Sequence, residues 1–313
     1  MTHVTVGEEG EGQRLDNYLV KTLKGVPKTH VYRIIRSGEV RVNKARAAAD
    51  TRLALGDVLR LPPVRVSDKV AEKAEKPAPA REFPIVFEDE WLIAIDKPAG
   101  VAVHGGSGVS FGVIEQLRRA RPTLRFLELV HRLDKETSGL LLVAKKRSAL
   151  TALQDQFRQR QTGKTYLAVV KGEWPDRLKV IDVPLLKTLV EAPDGAGEQR
   201  HVRIVDEAHP QGRRSITLVR VARRLAGFTL LEVTIKTGRT HQIRVHLASQ
   251  GHPIVGDEKY GDFELNKAMH RRGVKRMLLH AWRLAFDHPK TGETVRLESL
   301  TPFELEALEK GAS

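Results

Sequence analysis

The chain has 313 residues, and its 53 Lys and Arg against 39 Asp and Glu leave a formal charge of +14 at neutral pH, an excess that suits a polyanionic partner such as nucleic acid. No cysteine is present, which excludes a disulfide framework and any thiolate metal site. No run approaches the ~18 apolar residues of a membrane span, and no apolar segment follows a basic start, so a cytoplasmic protein with one large and one small domain is expected.

Near the N-terminus, Leu15, Leu19 and Leu23 recur at helical spacing over residues 14–25, and Gly25 with Pro27 ends that helix. A second helix is expected over residues 30–37, capped by Thr29, with Val31, Ile34 and Ile35 on its apolar face and Gly38 as its stop. Arg33 and Arg36 lie three apart on another face. Residues 40–42 and 58–61 alternate as short strands, and Lys44 follows the first. Residues 14–65 hold twelve Lys and Arg against four Asp and Glu, so more than half the excess charge falls in a sixth of the chain. Cations at that density position a nucleic acid through its phosphates, and Arg33, Arg36 and Lys44 are candidates for the contact. Cations that merely keep a small domain soluble are the alternative. Residues 66–82, with Lys, Glu and Pro and no core-forming pattern, read as a linker between a domain over 1–65 and another over 83–313.

The larger segment opens with strands over 85–87 and 91–95 joined by Glu88-Asp89-Glu90, and Lys97-Pro98-Ala99-Gly100 breaks the sheet. The Gly-rich loop at 103–108, which carries His104, lacks the Gly-Lys-Ser/Thr ending of a nucleotide-phosphate loop. Residues 131–139 then hand a polar loop to the apolar run 140–144, with Thr137-Ser138-Gly139 as turn chemistry. Asp134 sits in that loop between Arg132 and Lys135, and a carboxylate paired with a cation stays ionised. A structural ion pair at a strand end is the plainer reading of an isolated Arg-x-Asp.

A helix is expected over 148–160 and strands over 165–170, 180–185, 215–221, 227–235 and 281–286. Residues 240–250 read as one helix capped by Thr237 or Thr240 and stopped by Gly251, with His241 and Arg244 sharing a face. Together these elements predict an α+β fold built on a large mixed, mostly antiparallel sheet with flanking helices. His131, His241, His246 and His280 match no common zinc spacing, so no metal is expected. Lys145-Lys146-Arg147 and Arg271-Arg272 with Lys275-Arg276 are either phosphate contacts or a solvated face.

The loop His131-Arg132-Leu133-Asp134 with Thr137-Ser138-Gly139 resembles the active-site motif of the RluA-type pseudouridine synthases. Lys164-Thr165-Tyr166 and the run from Thr237 to His246 resemble the other two motifs of that family, in the same order. The match covers about residues 83–289, and the chain before it resembles an S4-type RNA-binding domain, here a small α/β unit. The resemblance implies a bent sheet with a central cleft and the isomerisation of uridine to pseudouridine. In that reaction the base leaves its stack, the N1–C1′ bond breaks and C5 joins the same carbon. No atom is added and no electron is transferred, so no cofactor is expected.

The resemblance assigns Asp134 to C1′, as nucleophile or in assisting elimination, a role carboxylates fill in glycosidic cleavage. Arg244 pairs with it, and Tyr166 lies against the uracil, its hydroxyl a candidate for proton removal from C5. Arg132 would fill the gap left by the base or grip its phosphate, with a second ion pair to Asp134 as its competing role; Arg239 and His241 are further RNA contacts, and His104 is either another or a plain loop histidine. Asp96 stands where many relatives carry Asn. Asn17 and the segments 24–28, 36–43 and 61–66 point to members acting on large-subunit ribosomal RNA, which implies 23S RNA or its precursor as partner of a monomer. Two other classes remain in view: an RNA-binding factor, which has no use for the three site residues together, and a glycoside hydrolase, which wants a second carboxylate.

Overall fold

The computed structural model describes residues 2–7, 9–23, 25–64, 78–105, 111–191, 198–301 and 304. It divides into two compact units, residues 1–79 and 80–313.

In the first unit, β1 (Thr2–Thr5), β2 (Arg41–Val42), β3 (Ala45–Arg46) and β4 (Val58–Leu61) form an antiparallel sheet in the order β1-β4-β2-β3. Helices α1 (Leu15–Thr22) and α2 (Lys28–Arg36) close its core, where Leu15, Leu19, Val31, Ile34 and Leu59 are fully buried. Helix α2 starts before the expected Thr29 cap. The Pro27 carbonyl already accepts from His30 N at 2.9 Å and Val31 N at 3.1 Å, so Pro27 holds the cap position without a side-chain bond. Strand β1 was not expected, because an edge strand of four mostly exposed residues shows no alternation. Asn43 and Lys44 both have positive φ, the two-residue turn that suits a hairpin, which puts Lys44 at its tip. Of the linker expected over 66–82, residues 66–77 lie outside the described residues.

The second unit is built on a ten-stranded sheet. Its strands are β5 (Ile85–Glu88), β6 (Leu92–Lys97), β7 (Glu128–Leu129), β8 (Ser138–Ala144), β9 (Gly163–Lys171), β10 (Val180–Asp182), β13 (Ile216–Leu225), β14 (Phe228–Ile235), β15 (Leu279–Asp287) and β16 (Thr294–Glu298). The order is β10-β13-β14-β9-β15-β8-β6-β5, with β16 on β15 and β7 on β8. Only the β15–β8 pair is parallel, so the expected mixed, mostly antiparallel sheet is found. The segment expected as one strand over 180–185 is two, because Pro184 has no N–H to donate. Beyond it, β11 (Leu185–Glu191) pairs with β12 (Glu198–Ile204) as a separate hairpin.

Helices cover both faces of this sheet. Ile93, Ile95, Leu141 and Val143 meet Val113, Ile114 and Leu117 of α3 (Val113–Ala120), while Leu92, Ala94, Leu140 and Leu142 meet Ala149, Leu150 and Leu153 of α4 (Arg147–Gln159). Strand β9 repeats the pattern. Ala168 and Val170 share a cluster with Ile243 and Leu247 of α5 (Gln242–Ser249), and Leu167 and Val169 share one with Met269 of α6 (Phe263–Arg271). Central strands buried on both faces read as unbroken apolar runs, as in 140–144, and each buried Leu contributes roughly 1.5–3 kcal/mol. Helices α3 and α6 and strand β16 had no counterpart among the sequence expectations.

Candidate active site

The Asp134 loop joins β7 to β8, and buried groups hold it at both ends. The backbone N–H of Leu142 donates to His131 Nε2 at 3.1 Å, and the His131 ring stacks on Phe157 with centroids 4.6 Å apart. Thr137 N closes the loop on the Asp134 carbonyl at 3.1 Å. Where β8 begins, Gly139 has φ +106° and a Cβ there would lie 2.2 Å from the Ala281 carbonyl oxygen. Only glycine permits that approach, which puts Ser138 and Gly139 beside His280 and Ala281 of β15.

Ala281 in turn faces Tyr166 of β9, so three adjacent strands bring the Asp134 loop and Tyr166 together. The third component comes from α5. Gln242 anchors the turn before it: its Oε1 accepts from Thr237 Oγ1 at 2.8 Å and Arg239 N at 3.1 Å, and its Nε2 donates to Ile216 O and Thr217 Oγ1 at 3.0 Å each. The cap expected of Thr237 or Thr240 is absent. His241 holds that position with φ +52° and no side-chain bond to the helix, because the Thr237 hydroxyl is committed to Gln242 and to Ile216 N.

Arg244, buried on α5, donates from Nη1 to Asp134 Oδ2 at 3.2 Å, and His241 Nε2 lies 3.9 Å from the same oxygen. The cations flanking Asp134 in sequence are not its partners. Arg132 is exposed and Lys135 lies 3.7 Å from Glu136. Burial opposes the Arg244 charge, but its hydrogen bonds to Asp257 and the charges of Asp257 and Asp134 outweigh that and raise its pKa. Burial, with the Asp134 charge, pushes the Tyr166 hydroxyl up as well, so the phenol is neutral. Burial pulls His241 down to about 4, against the pull of Asp134, so its imidazole is neutral too.

These groups line a cleft of about 770 Å³. Asp134 is the one carboxylate among its lining residues, against Arg132, Arg158, Arg160, Lys164, Lys187, Arg239 and Arg244. The cleft thus joins six of the expected site residues: Asp134, Tyr166, Arg244, Arg132, Arg239 and His241. His104 is exposed, bonded through Nδ1 to the Gly105 carbonyl at 2.8 Å, and does not line the cleft. Arg33, Arg36 and Lys44 are exposed on the first unit, Arg33 at 3.4 Å from Glu39. Several expected phosphate contacts are committed elsewhere. Lys145 binds Glu88 at 2.9 Å, Lys146 binds Glu90, and Arg276 binds Glu304 and Ser138, whereas Arg271, Arg272 and Lys275 are exposed.

Sequence reasoning missed Lys97, Asp257 and Tyr260. Lys97 is fully buried and donates to the carbonyls of Pro98 and Val101 at 2.8 Å and of Lys135 at 3.0 Å. Burial pulls its pKa down to about 7 against the charges of Glu136 and Asp134. Asp96 accepts from Ser299 Oγ at 2.7 Å, tying β6 to the segment after β16. Among the described residues no group of three His, Cys, Asp or Glu is arranged to hold a metal, and no helix is long and apolar enough to cross a membrane.

Residues 91–249 match the family model described as RNA pseudouridylate synthase, and residues 13–59 match that of the S4 domain. The chain belongs to the RNA pseudouridylate synthase family. Among curated proteins it is 49% identical over 309 residues to the ribosomal large subunit pseudouridine synthase C of Haemophilus influenzae, covering 97% of this chain and 93% of that one. It is 48% identical over 302 residues to the protein of the same name from Escherichia coli, covering 95% and 92%. Among solved structures, human RNA pseudouridylate synthase domain containing 4 superposes with a TM-score of 0.57 at 26% identity, over 71% of this chain and 90% of the other. The chain is therefore an RNA pseudouridine synthase, as its three motifs implied.

Proposed function

We propose that this synthase isomerises specific uridines of large-subunit ribosomal RNA, 23S RNA or its precursor, with Asp134, Tyr166 and Arg244 as its catalytic residues. One observation carries the reading. The one carboxylate among the described residues lining a basic cleft is held by a buried arginine at 3.2 Å, and Tyr166 of β9 lines the same cleft. The substrate follows from the relatives, which are named for the large ribosomal subunit and align over almost their whole length.

The target base has to leave its stack to reach this cleft, which costs a few kcal/mol, and stacking on one aromatic ring returns ~1–3 kcal/mol. Tyr166 is that ring. Both cationic and imidazole groups near Asp134 face Oδ2, which leaves Oδ1 for C1′ as positive charge develops there. Because the Tyr166 phenol rests protonated, its hydroxyl can take the C5 proton only by passing its own on. Arg132 and Arg239, both exposed at the cleft, grip the RNA around the flipped nucleotide, with His241 beneath. The 1–65 domain docks RNA through Arg33, Arg36 and Lys44, and the 83–313 domain carries out the reaction. The enzyme acts as a monomer in the cytoplasm.

A hydrolase reading is disfavoured because, among the described residues, no second carboxylate lines the cleft. The deciding measurement is tritium release from C5-labelled uridine in unmodified 23S RNA, wild type against Asp134→Asn. Release by the wild type alone, with no free uracil, supports the proposal. Equal release by Asp134→Asn overturns the role of Asp134, and no release by either variant on RNA that binds overturns the substrate.

A further inference from the structure

A buried turn stands behind the Asp134–Arg244 pair. Asp257, whose side chain is 1% exposed, begins the segment Asp257-Glu258-Lys259-Tyr260, which Gly256 and Gly261 bracket. Its Oδ2 accepts from Arg244 Nε at 2.7 Å and its Oδ1 from Arg244 Nη2 at 2.8 Å. The backbone N–H groups of Lys259 and Tyr260 donate to Oδ1 at 2.9 and 3.0 Å, so the carboxylate is itself fixed in orientation. A bidentate pair of this kind sets the plane of a guanidinium as well as its place. One edge of Arg244 is thereby consumed, and Nη1 is what remains to meet Asp134.

The glycines make this turn possible. A Cβ at Gly256 would lie 2.1 Å from the Arg276 carbonyl oxygen, and one at Gly261 would lie 2.0 Å from that of Asp257. The turn is a close-packed seat for two side chains that face the site.

The second of these is Tyr260. Its ring lies 5.1 Å from the Arg244 guanidinium, its Oη accepts from Val202 N at 3.0 Å, and the same Oη lies 2.8 Å from His241 Nδ1. A phenol has one proton to give. With Val202 N–H already at the oxygen, His241 Nδ1 is the acceptor in reach of that proton among the described residues, the pairing that goes with an imidazole proton on Nε2. Nε2 is the atom 3.9 Å from Asp134 Oδ2, and His241 takes a left-handed backbone to put it there.

We propose that Asp257 and Tyr260 are positioning residues for the isomerisation: Asp257 fixes the plane of Arg244, and Tyr260 fixes His241 as the Nε2–H tautomer, so that both donors address one oxygen of Asp134 and the other is left for the sugar carbon. The inference rests on the assignment of Asp134 as the group that acts at C1′. Neither Asp257 nor Tyr260 touches the substrate. Each acts through the residue it holds.

The test uses the full chain. In histidine-labelled protein, 15N spectra of the wild type should show His241 with Nδ1 unprotonated and Nε2 protonated, the signals assigned by their loss in His241→Gln. Tyr260→Phe removes only the hydroxyl and should give a mixture of tautomers. With 23S RNA at saturation, single-turnover tritium release should fall about tenfold in Tyr260→Phe and about a hundredfold in Asp257→Asn, RNA affinity being unchanged in both. A merely structural turn would lower thermal stability and leave tautomer and rate per folded molecule as they were. Tyr260→Phe with the wild-type tautomer and the wild-type rate overturns the proposal, and Asp257→Asn that folds and keeps the wild-type rate overturns its Arg244 half. If Asp257→Asn does not fold, Asp257→Glu, which keeps the charge and moves the carboxylate, takes its place, and a wild-type rate in that variant overturns the Arg244 half. The tautomer is read without RNA, so failure of the Asp134 assignment would show separately, as activity in Asp134→Asn.

Discussion

Lys97 Nζ donates at 3.0 Å to the carbonyl of Lys135, the residue directly after Asp134, from a position with no solvent exposure. Its other two protons go to Pro98 and Val101, so three donors meet three acceptors and the end of β6 is tied to the Asp134 loop.

Lys97→Met keeps the stem and leaves three carbonyls without a donor. A buried polar group deprived of its partner makes this a loss of roughly 3–5 kcal/mol, read as a lower urea midpoint. The folded fraction should bind RNA normally and release tritium more slowly. An unchanged midpoint would show that the carbonyls find other donors.

Gly139→Ala is expected to be severe and Gly238→Ala mild, although both glycines belong to the site motifs. At Gly139 the φ of +106° and the Ala281 carbonyl oxygen 2.2 Å from a Cβ both resist a side chain, whereas nothing lies within 4 Å of one at Gly238. The first should cost more than about 2 kcal/mol and the second less than about 0.5 kcal/mol. Thermal unfolding of the two variants side by side checks the contrast.

Stability should fall as the solution is acidified. His246 and His280 are 0% and 1% exposed, and burial pulls each down to about 4, with Nδ1 of each 2.9 Å from a buried hydroxyl, Thr217 and Ser138. Unfolded, each titrates near 6.5. A folded pKa below the unfolded one favours the fold fully above about 6.5, and that contribution is lost as the pH falls toward about 4. Between those values each histidine steepens the dependence by up to about 1.4 kcal/mol per pH unit. His246→Asn should remove one proton's worth of slope from urea midpoints measured between pH 7 and 5, and an unaltered slope would mean that His246 charges freely in the fold.

Arg239→Gln should weaken RNA binding without lowering the rate at saturating RNA. Arg239 is exposed at the cleft and forms no ion pair among the described residues. Loss of one phosphate contact should reduce the salt slope of log affinity by about 0.7–0.9. A slope equal to wild type would place Arg239 off the phosphates.

Elements with strong periodicity were legible in the chain. The helices near 15–22 and 147–159 and the strands around 140–144, 165–170 and 228–235 were found to within a few residues, because the helices repeat against a buried face and the strands are apolar-rich runs. What escaped had no such signal: the exposed edge strand β1, the hairpin β11–β12 beyond Pro184, and α6, which buries Met269 alone. Asp134, Tyr166 and Arg244, which line one cleft, stood out in the sequence because they sit in long motifs. Lys97 was hidden inside a dipeptide that reads as a sheet break, and Asp257 and Tyr260 lie in a short Gly-bounded turn that composition marks only as a turn.

The sequence by itself determined the family, the basic first segment and the motifs whose residues line the cleft, since these are written in local runs of side chains. The tertiary structure decided which groups meet besides the Asp134–Arg244 pair that the resemblance implied, and the geometry by which that pair forms. Asp134 and Arg244 are separated by 110 positions, and Asp134 turned away from both cations beside it in the chain to meet one from α5. Contacts of that range depend on how β8, β15 and β9 align and on which oxygens a buried guanidinium can reach, and no local pattern encodes the distance between two elements once they have packed.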